Sequence, residues 1–280
     1  MVDLHQHSIY SDGTSTPAEL VERAVLLNLT AMALTDHDTT AGLDECGRLA
    51  AEAGVRFIPG VEFEAREGPH VLGYFGGRPG PAVAIAERDY RRFRIESLLI
   101  VLECLAKEGF EIDPDSVMER AASGTPHVSH VVAEMERLGY LSSLDRSVEE
   151  FALLFGPEGP AALPDVTENQ WPVAELIQML RDSGAVSVLA HPWESDLALL
   201  PEMIEAGLQG MEVYNRNAHL SGNLESLKRL AERHGLVMTG GWDYHGEAQA
   251  ARLARSDLRE FSPPDELLEP LQDLIAAVPA

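Results

Sequence analysis

Two hydrophobic periods alternate along this chain. Short apolar runs stand at 1–4, 31–35, 55–61, 70–75, 185–190, 210–214 and 236–240. Longer segments at 16–27, 41–53, 173–183, 197–206, 224–234 and 267–277 repeat their apolar positions every three or four residues. The runs read as buried strands and the longer segments as amphipathic helices. Local punctuation agrees. Thr16-Pro17-Ala18-Glu19 combines an N-cap, a proline at the first helical position and a glutamate three residues after the cap, which together mark a helix start. Gly54 ends the next helix. Strands separated by helices of this length imply parallel β/α units. The fold class is α/β, and its chemistry should gather at the C-terminal ends of the strands.

The alternation breaks between about 76 and 163. That stretch predicts helices alone, at 83–107, 115–122, 127–138 and 147–154. Proline and glycine mark both of its ends, as Gly76-Gly77-Arg78-Pro79-Gly80-Pro81 and Gly156-Pro157-Glu158-Gly159-Pro160. Residues 77–162 therefore read as a helical insertion that forms part of a substrate cleft. It is set into a domain built from 1–76 and 163–280.

Charge narrows the partners. The formal net charge is −25, from 46 acidic and 21 basic residues. A long nucleic-acid track needs a basic face, so none is expected, although short oligonucleotides stay among the candidate substrates. Any anionic substrate must meet a local positive centre. Two cysteines, Cys46 and Cys104, make no disulfide framework and suit a reduced, cytoplasmic setting. No signal peptide or membrane-spanning run is evident, so no membrane partner is expected.

The candidate chemistry begins in the first thirteen residues. His5 and His7 alternate on a strand and so project from one face, a ready pair of metal ligands. Asp12 follows on a turn marked by Gly13 and adds a hard oxygen. A lone His-x-His is often incidental. Here further polar residues collect at or near the predicted strand ends: His37, Glu62, His70, His191, Asp243 and His245. Imidazole mixed with carboxylate suits Zn, Mn or Fe. Nine such ligands exceed the needs of one or two ions, and three fit better.

These residues lie in stretches that resemble the PHP (polymerase and histidinol phosphatase) domain family, in particular its stand-alone bacterial metal-dependent phosphoesterases. The matching stretches are DLHQHSIYSDG (3–13), TDHDT (35–39), GVE (60–62), HVLGY (70–74), LAHP (189–192) and GWDYH (241–245). The resemblance runs nearly the whole length, insertion included. It implies a distorted seven-stranded β/α barrel with two to three divalent transition ions. It implies that His5, His7, Glu62 and Asp243 hold the first ion. Glu62 would bridge to a second completed by His70 and His191, and Asp12, His37 and His245 would hold a third. Asp36 and Asp38, flanking His37, are read as outer partners of the ligands or as capping groups.

Three divalent ions less three carboxylates leave a surplus of about three positive charges. Such a centre attracts a phosphate dianion and lowers the pKa of bound water. The expected reaction is attack of metal-bound hydroxide on phosphorus in a small phosphorylated substrate, a nucleotide or a similar mono- or diester. Specificity should come from the insertion and the late loops. Relatives often carry Gly-Arg-Pro-His where this chain has Gly124-Thr125-Pro126-His127, and Leu163-Pro164-Asp165 carries an acid where a basic residue is common. Thr125 stands in the arginine's place, His127 points towards the site, and Arg216 is the candidate replacement for phosphate binding. Arg91, Arg92 and Arg94 form a mostly solvated face from which one side chain could reach the cleft. His130, His219 and His234 are read as structural or surface residues. Two other readings stay open: an amidohydrolase-type metal hydrolase and a non-catalytic metal-binding domain.

Overall fold

The computed structural model describes residues 1–121, 124–141, 154–155, 159–162, 170–246 and 263–278. Among them, seven strands form one sheet in sequence order: β1 (Val2–Asp3), β2 (Ala31–Leu34), β3 (Arg56–Glu64), β4 (His70–Phe75), β5 (Ala185–Leu189), β6 (Gly210–Tyr214) and β7 (Val237–Gly240). The first and last strands meet. Leu4 N donates to Gly240 O at 3.2 Å, His7 N donates to Tyr244 O at 2.8 Å, and Gln6 bridges Tyr244. The sheet is thereby a nearly closed barrel, as expected.

Strand periodicity sorts the side chains. Ala31 and Ala33 face the barrel interior with Val2, Ile58, Leu72 and Val188, while Met32 and Leu34 face the outer layer. That outer layer is made by α1 (Pro17–Leu26) and α2 (Leu43–Ala53) on one side. The Thr16 cap forms as predicted, with Glu19 N donating to Thr16 Oγ1 and Thr16 N donating to Glu19 Oε2 at 2.7 Å. Gly54 ends α2 at φ 73°, a left-handed position that suits glycine.

β4 departs from the expected parallel order. It pairs antiparallel with both β3 and β5. The reason is the short connection from Glu64 to His70, tightened by Ala65 N donating to Pro69 O at 2.8 Å. A parallel return needs a crossover of a dozen residues or more. The reversal also lengthens β3, which pairs with β2 up to Pro59 and with β4 from Gly60 to Glu64. Glu62 is consequently inside a strand rather than at its end. His70 begins its strand, which puts it on the same rim as the other strands' C-termini.

After β4 come α3 (Pro81–Lys107), α4 (Pro114–Arg120) and α5 (Val128–Arg137), in the stretch expected to be an insertion, and α6 (Val173–Asp182) precedes β5. The first half of α3 packs Val83, Ala86, Tyr90 and Phe93 into the core around β4 and β5. Its second half packs Leu98, Val101, Leu102 and Leu105 against Val117, Val131 and Met135. One helix of about 40 Å thus serves two cores. The helix expected at 147–154 and the Leu163-Pro164-Asp165 stretch fall almost wholly outside the described residues.

The second half of the chain adds α7 (Glu194–Leu197), α8 (Leu200–Ala206), α9 (Arg216–Ser221), α10 (Leu224–His234) and α11 (Leu268–Ala277). The single helix expected at 197–206 is two, broken before Pro201. α11 closes the lower mouth of the barrel with Leu268 and Leu271.

Candidate metal centre

The chain leaving β1 carries His5 and His7 along the seam, both fully buried on one face. Their Nε2 atoms lie 3.1 Å apart. Glu62 Oε2 approaches them at 3.0 and 3.2 Å, and Asp243 Oδ1 at 3.4 and 3.1 Å. Two imidazole nitrogens and two carboxylate oxygens therefore converge on one point.

Glu62 faces two ways. Its Oε1 lies 3.0 Å from His70 Nδ1 and 3.1 Å from His191 Nε2. His37 Nδ1 approaches Oε2 at 3.3 Å, so a second group gathers His37, Glu62 and His70. A third gathers His7, Asp12, His37 and His245, with Asp12 Oδ2 at 3.2 Å from His245 Nε2 and 3.8 Å from His37 Nε2. All nine expected residues come together. Two also sit between groups, His7 between the first and third and His37 between the second and third. The resemblance alone did not imply that sharing.

These donors fit metal ions. His7 Nδ1 and His37 Nδ1 are buried and make no hydrogen bond, although Asp12 and Glu62 oxygens stand close by. Buried polar atoms without hydrogen bonds need another partner. Burial alone would push the Glu62 carboxyl up, but the imidazoles of His5, His37 and His70 outweigh it and hold it well below the usual range. Asp12 and Asp243 are likewise held ionised against burial by neighbouring histidines. Burial brings His37 down to about 3, the neutral form that ligates. At His245, burial would lower the pKa, but Asp12 and Asp243 drive it up to about 10. The carboxylates call for positive charge at that place.

A second layer holds the first, and part of it was not legible beforehand. Glu212, fully buried on β6, sets its Oε1 at 3.2 Å from His5 Nδ1, and its Oε2 accepts from His191 N at 2.8 Å. Its only signal was a carboxylate in an apolar strand. Asp36 accepts from Ser8 N, Ser8 Oγ and Ser11 Oγ at 2.6–2.7 Å and so folds the loop that presents Asp12. Asp38 accepts from Arg94 Nε at 2.9 Å. Burial pushes its carboxyl up to about 6 even though Arg94 pulls it down. Asp3 accepts from Trp242 N at 3.0 Å and from Arg23 at 3.4 Å, and the Arg23 guanidinium lies over Trp242 and Tyr244. Asp38, His191 and Asp243 all hold positive φ, at 56°, 23° and 50°. Each such residue costs about 1–3 kcal/mol, and this strain persists only where the surroundings over-determine it.

The expected substrate-side residues are placed differently from one another. The 124–127 loop docks beside the centre, where Thr125 N donates to Tyr10 O at 2.9 Å and Thr125 Oγ1 donates to Asp38 O at 3.2 Å. A Cβ on Gly124 would collide with the Tyr10 carbonyl. His127 is buried, stacks on His37 with ring centroids 5.1 Å apart, and has an Nε2 without a hydrogen bond. Its other end is fixed by His130, whose Nδ1 accepts from His127 N at 2.9 Å. Arg216 is exposed in the first turn of α9, on the same rim. Of the three arginines on this helix, Arg94 reaches the loops carrying the centre, where it bonds Asp38 and Glu64.

The model of the PHP domain matches residues 3–142. The phosphoribosyl 1,2-cyclic phosphate 1,2-diphosphodiesterase of Eggerthella lenta is 31% identical over 88% of this chain and 94% of its own length. The 3',5'-nucleoside bisphosphate phosphatase of Chromobacterium violaceum is 29% identical over 90% of this chain and 89% of its own. The 5'-3' exoribonuclease of Haemophilus influenzae is 26% identical over 87% and 89%. Among solved structures, a protein of Bifidobacterium adolescentis described as a metal-dependent phosphoesterase superposes with a TM-score of 0.83 at 27% identity, covering 98% of this chain and 96% of its own. An amidohydrolase of Chromobacterium violaceum, solved with bound sulfate and no metal, gives 0.80 at 26% identity over the same shares. No helix among the described residues is long and apolar enough to cross a membrane.

Proposed function

We propose a function from the premise that this chain belongs to the PHP family: it is a metal-dependent phosphoesterase that hydrolyses a small phosphorylated substrate. The observation that carries the reading is the two-faced Glu62, which meets His5, His7 and His37 through one oxygen and His70 and His191 through the other. His5, His7, Glu62 and Asp243 would hold one ion, Glu62, His70 and His191 a second, and Asp12, His37 and His245 a third. Mn, Fe and Zn suit this donor set. Such ions supply Lewis-acid polarisation of phosphoryl oxygens and lower the pKa of bound water.

The chain's own residues do the rest. Glu212 fixes the His5 ring from its Nδ1 side, leaving Nε2 to face the centre. Asp36 holds the Ser8–Ser11 loop so that Asp12 stays beside His37 and His245. Exposure grades across the site: His5, His7 and Glu62 are fully buried, whereas the side chains of Asp243 and His70 are 37% and 25% exposed. Substrate therefore enters over Asp243 and His70, with the 124–127 loop as one wall.

The substrate class follows from chemistry shared by the relatives. The three names print a phosphoribosyl cyclic phosphate, a nucleoside bisphosphate and a ribonuclease activity, all phosphate esters of a nucleotide-type sugar, and the sulfate in the Chromobacterium amidohydrolase is a tetrahedral oxyanion like phosphate. A nucleotide, a ribose phosphate or the end of a short oligonucleotide fits a narrow positive centre inside an acidic protein. An amidohydrolase reaction is less well supported, because a glutamate holds the bridging place and no lysine precedes Lys107.

Elemental analysis and a substrate screen test the proposal. Protein made in metal-supplemented medium should carry two to three equivalents of transition metal. With Mn²⁺ supplied, it should release phosphate from aryl phosphates, nucleotides or cyclic phosphates. His37→Ala and Asp243→Ala should abolish that release while circular dichroism stays native. Less than one equivalent with no uptake on titration overturns the metal assignment. Undiminished turnover in either variant overturns the site.

A further inference from the structure

Arg94 belongs to none of the proposed ligand sets, yet it is bonded to the chain on both sides of them. Its Nε donates to Asp38 Oδ2 at 2.9 Å and its Nη2 to Glu64 Oε2 at 3.0 Å. Asp38 directly follows His37, and Glu64 lies two residues beyond Glu62 in β3. One turn earlier, Tyr90 Oη donates to the Glu64 carbonyl at 2.7 Å. Two turns earlier, Glu87 Oε1 accepts from both Thr40 N and Thr40 Oγ1. Three successive turns of α3 therefore grip residues 38–40 and 64, the exits of β2 and β3.

An arginine whose Nε and Nη2 are both on carboxylates has its charge matched locally, which makes it a weak phosphate ligand. Its side chain is only 17% exposed and that of Asp38 is fully buried, so the Asp38 pair is desolvated, while Glu64 keeps partial contact with solvent. Asp38 and Glu64 are hard oxygen donors beside the centre, and Asp38 Oδ1 is buried with no hydrogen bond of its own. Left unpaired, such carboxylates compete with the proper ligands for cations.

We propose that Arg94 is a positioning residue of the centre: by pairing Asp38 and Glu64 it fixes the backbone that carries His37 and Glu62 and keeps both carboxylates off the ions. This rests on the metal-centre reading above. It makes the long helix of the insertion part of the metal site without supplying a ligand.

The test compares Mn²⁺ affinity by equilibrium dialysis, together with kcat and KM on an aryl phosphate, in wild type, Arg94→Met, Arg94→Lys and Asp38→Asn/Arg94→Met. Arg94→Met should bind Mn²⁺ about 10-fold more weakly, the lower end of what losing a direct outer partner of a ligand costs, because Arg94 acts through the residues beside the ligands. Its kcat should fall by a similar factor while KM moves less. Arg94→Lys should recover part of the loss, because an ammonium pairs one carboxylate but does not reproduce the fork. Adding Asp38→Asn should also restore affinity, since it removes a competing charge and asparagine tolerates the left-handed backbone at residue 38. A purely structural role would predict lower thermal stability with no such restoration. Mn²⁺ affinity and kcat within twofold of wild type in Arg94→Met overturn the inference, as does an effect confined to KM. Should Arg94→Met fail to fold, a wild-type Mn²⁺ affinity in the double variant supports the inference, and a lost affinity in that folded variant overturns it. A wild type that takes up no Mn²⁺ overturns the metal-centre reading itself, and this inference with it.

Discussion

Glu212 ties His5 and His191 into one frame. One carboxylate oxygen stands 3.2 Å from the Nδ1 of His5 and the other accepts the backbone N–H of His191 at 2.8 Å. β6 thereby governs a histidine of the seam and the turn after β5 at once. Ligating imidazoles commonly have a carboxylate or carbonyl on the second ring nitrogen, which sets the tautomer and raises basicity.

Glu212→Gln keeps an acceptor and removes the charge, so metal affinity should fall about 10-fold. Glu212→Ala should cost about 100-fold, in the range found for lost outer partners. Titration of metal-stripped protein with Mn²⁺ or Zn²⁺ measures both. Wild-type affinity in Glu212→Ala would show that His5 is oriented by other groups.

Because α3 packs into two cores, we propose that the edge of the insertion lies inside that helix rather than at residue 77. We propose that replacing residues 97–162 by a short linker leaves a folded barrel that still takes up metal, because Val83, Ala86, Tyr90 and Phe93 stay in the barrel's outer core and every proposed ligand is retained. Removing 77–159 should instead expose that core and yield insoluble protein. Solubility and metal content of the two deletions decide the boundary.

Thr125 is almost fully buried and already bonded to the Asp38 carbonyl. An arginine there overfills a packed loop, so Thr125→Arg should lower stability by about 1–3 kcal/mol and give no gain on nucleotides. Arg216, exposed on the rim, is the remaining candidate for phosphate contact. Arg216→Ala should raise KM several-fold with kcat held. Thermal melts and steady-state kinetics check the pair, and an unchanged KM removes Arg216 from the site.

Cys46 is buried in α2, and burial together with Asp36 and Glu45 pushes its thiol up to about 12. At pH 8 its thiolate fraction is about one in ten thousand, so Cys104, which is half-buried, should label first and alone in the native protein. The folded pKa lies above the ordinary value near 9. This group's contribution to stability is therefore full below about pH 9 and is lost as pH rises towards 12. Alkaline unfolding of Cys46→Ala should accordingly begin at higher pH than that of wild type. Thiol labelling and pH-dependent melts read the two effects separately.

Hydrophobic period and ligand chemistry were enough, in the sequence, for the α/β class and for the His5–His7 pair, because side-chain alternation on a strand is a local property. Resemblance to known motifs collected the remaining ligand residues from six separate stretches. The long helical segment and the Thr16 cap were legible for the same reason: propensity and capping act within a few residues. The direction of β4 was not, since a short apolar run shows no direction and the tight Glu64–His70 connection that reverses it is recognisable only once both strands are placed; that reversal puts His70 on the rim with His191. Glu212 is not among the residues the sequence points to, and only the fold sets it behind His5. For Arg91, Arg92 and Arg94 the sequence allows that one reaches the cleft but not which, because a helix wheel shows a face and not what the face meets. Tertiary structure decided which charges are buried, and burial is what turns an ordinary carboxylate or guanidinium into a group that must be paired.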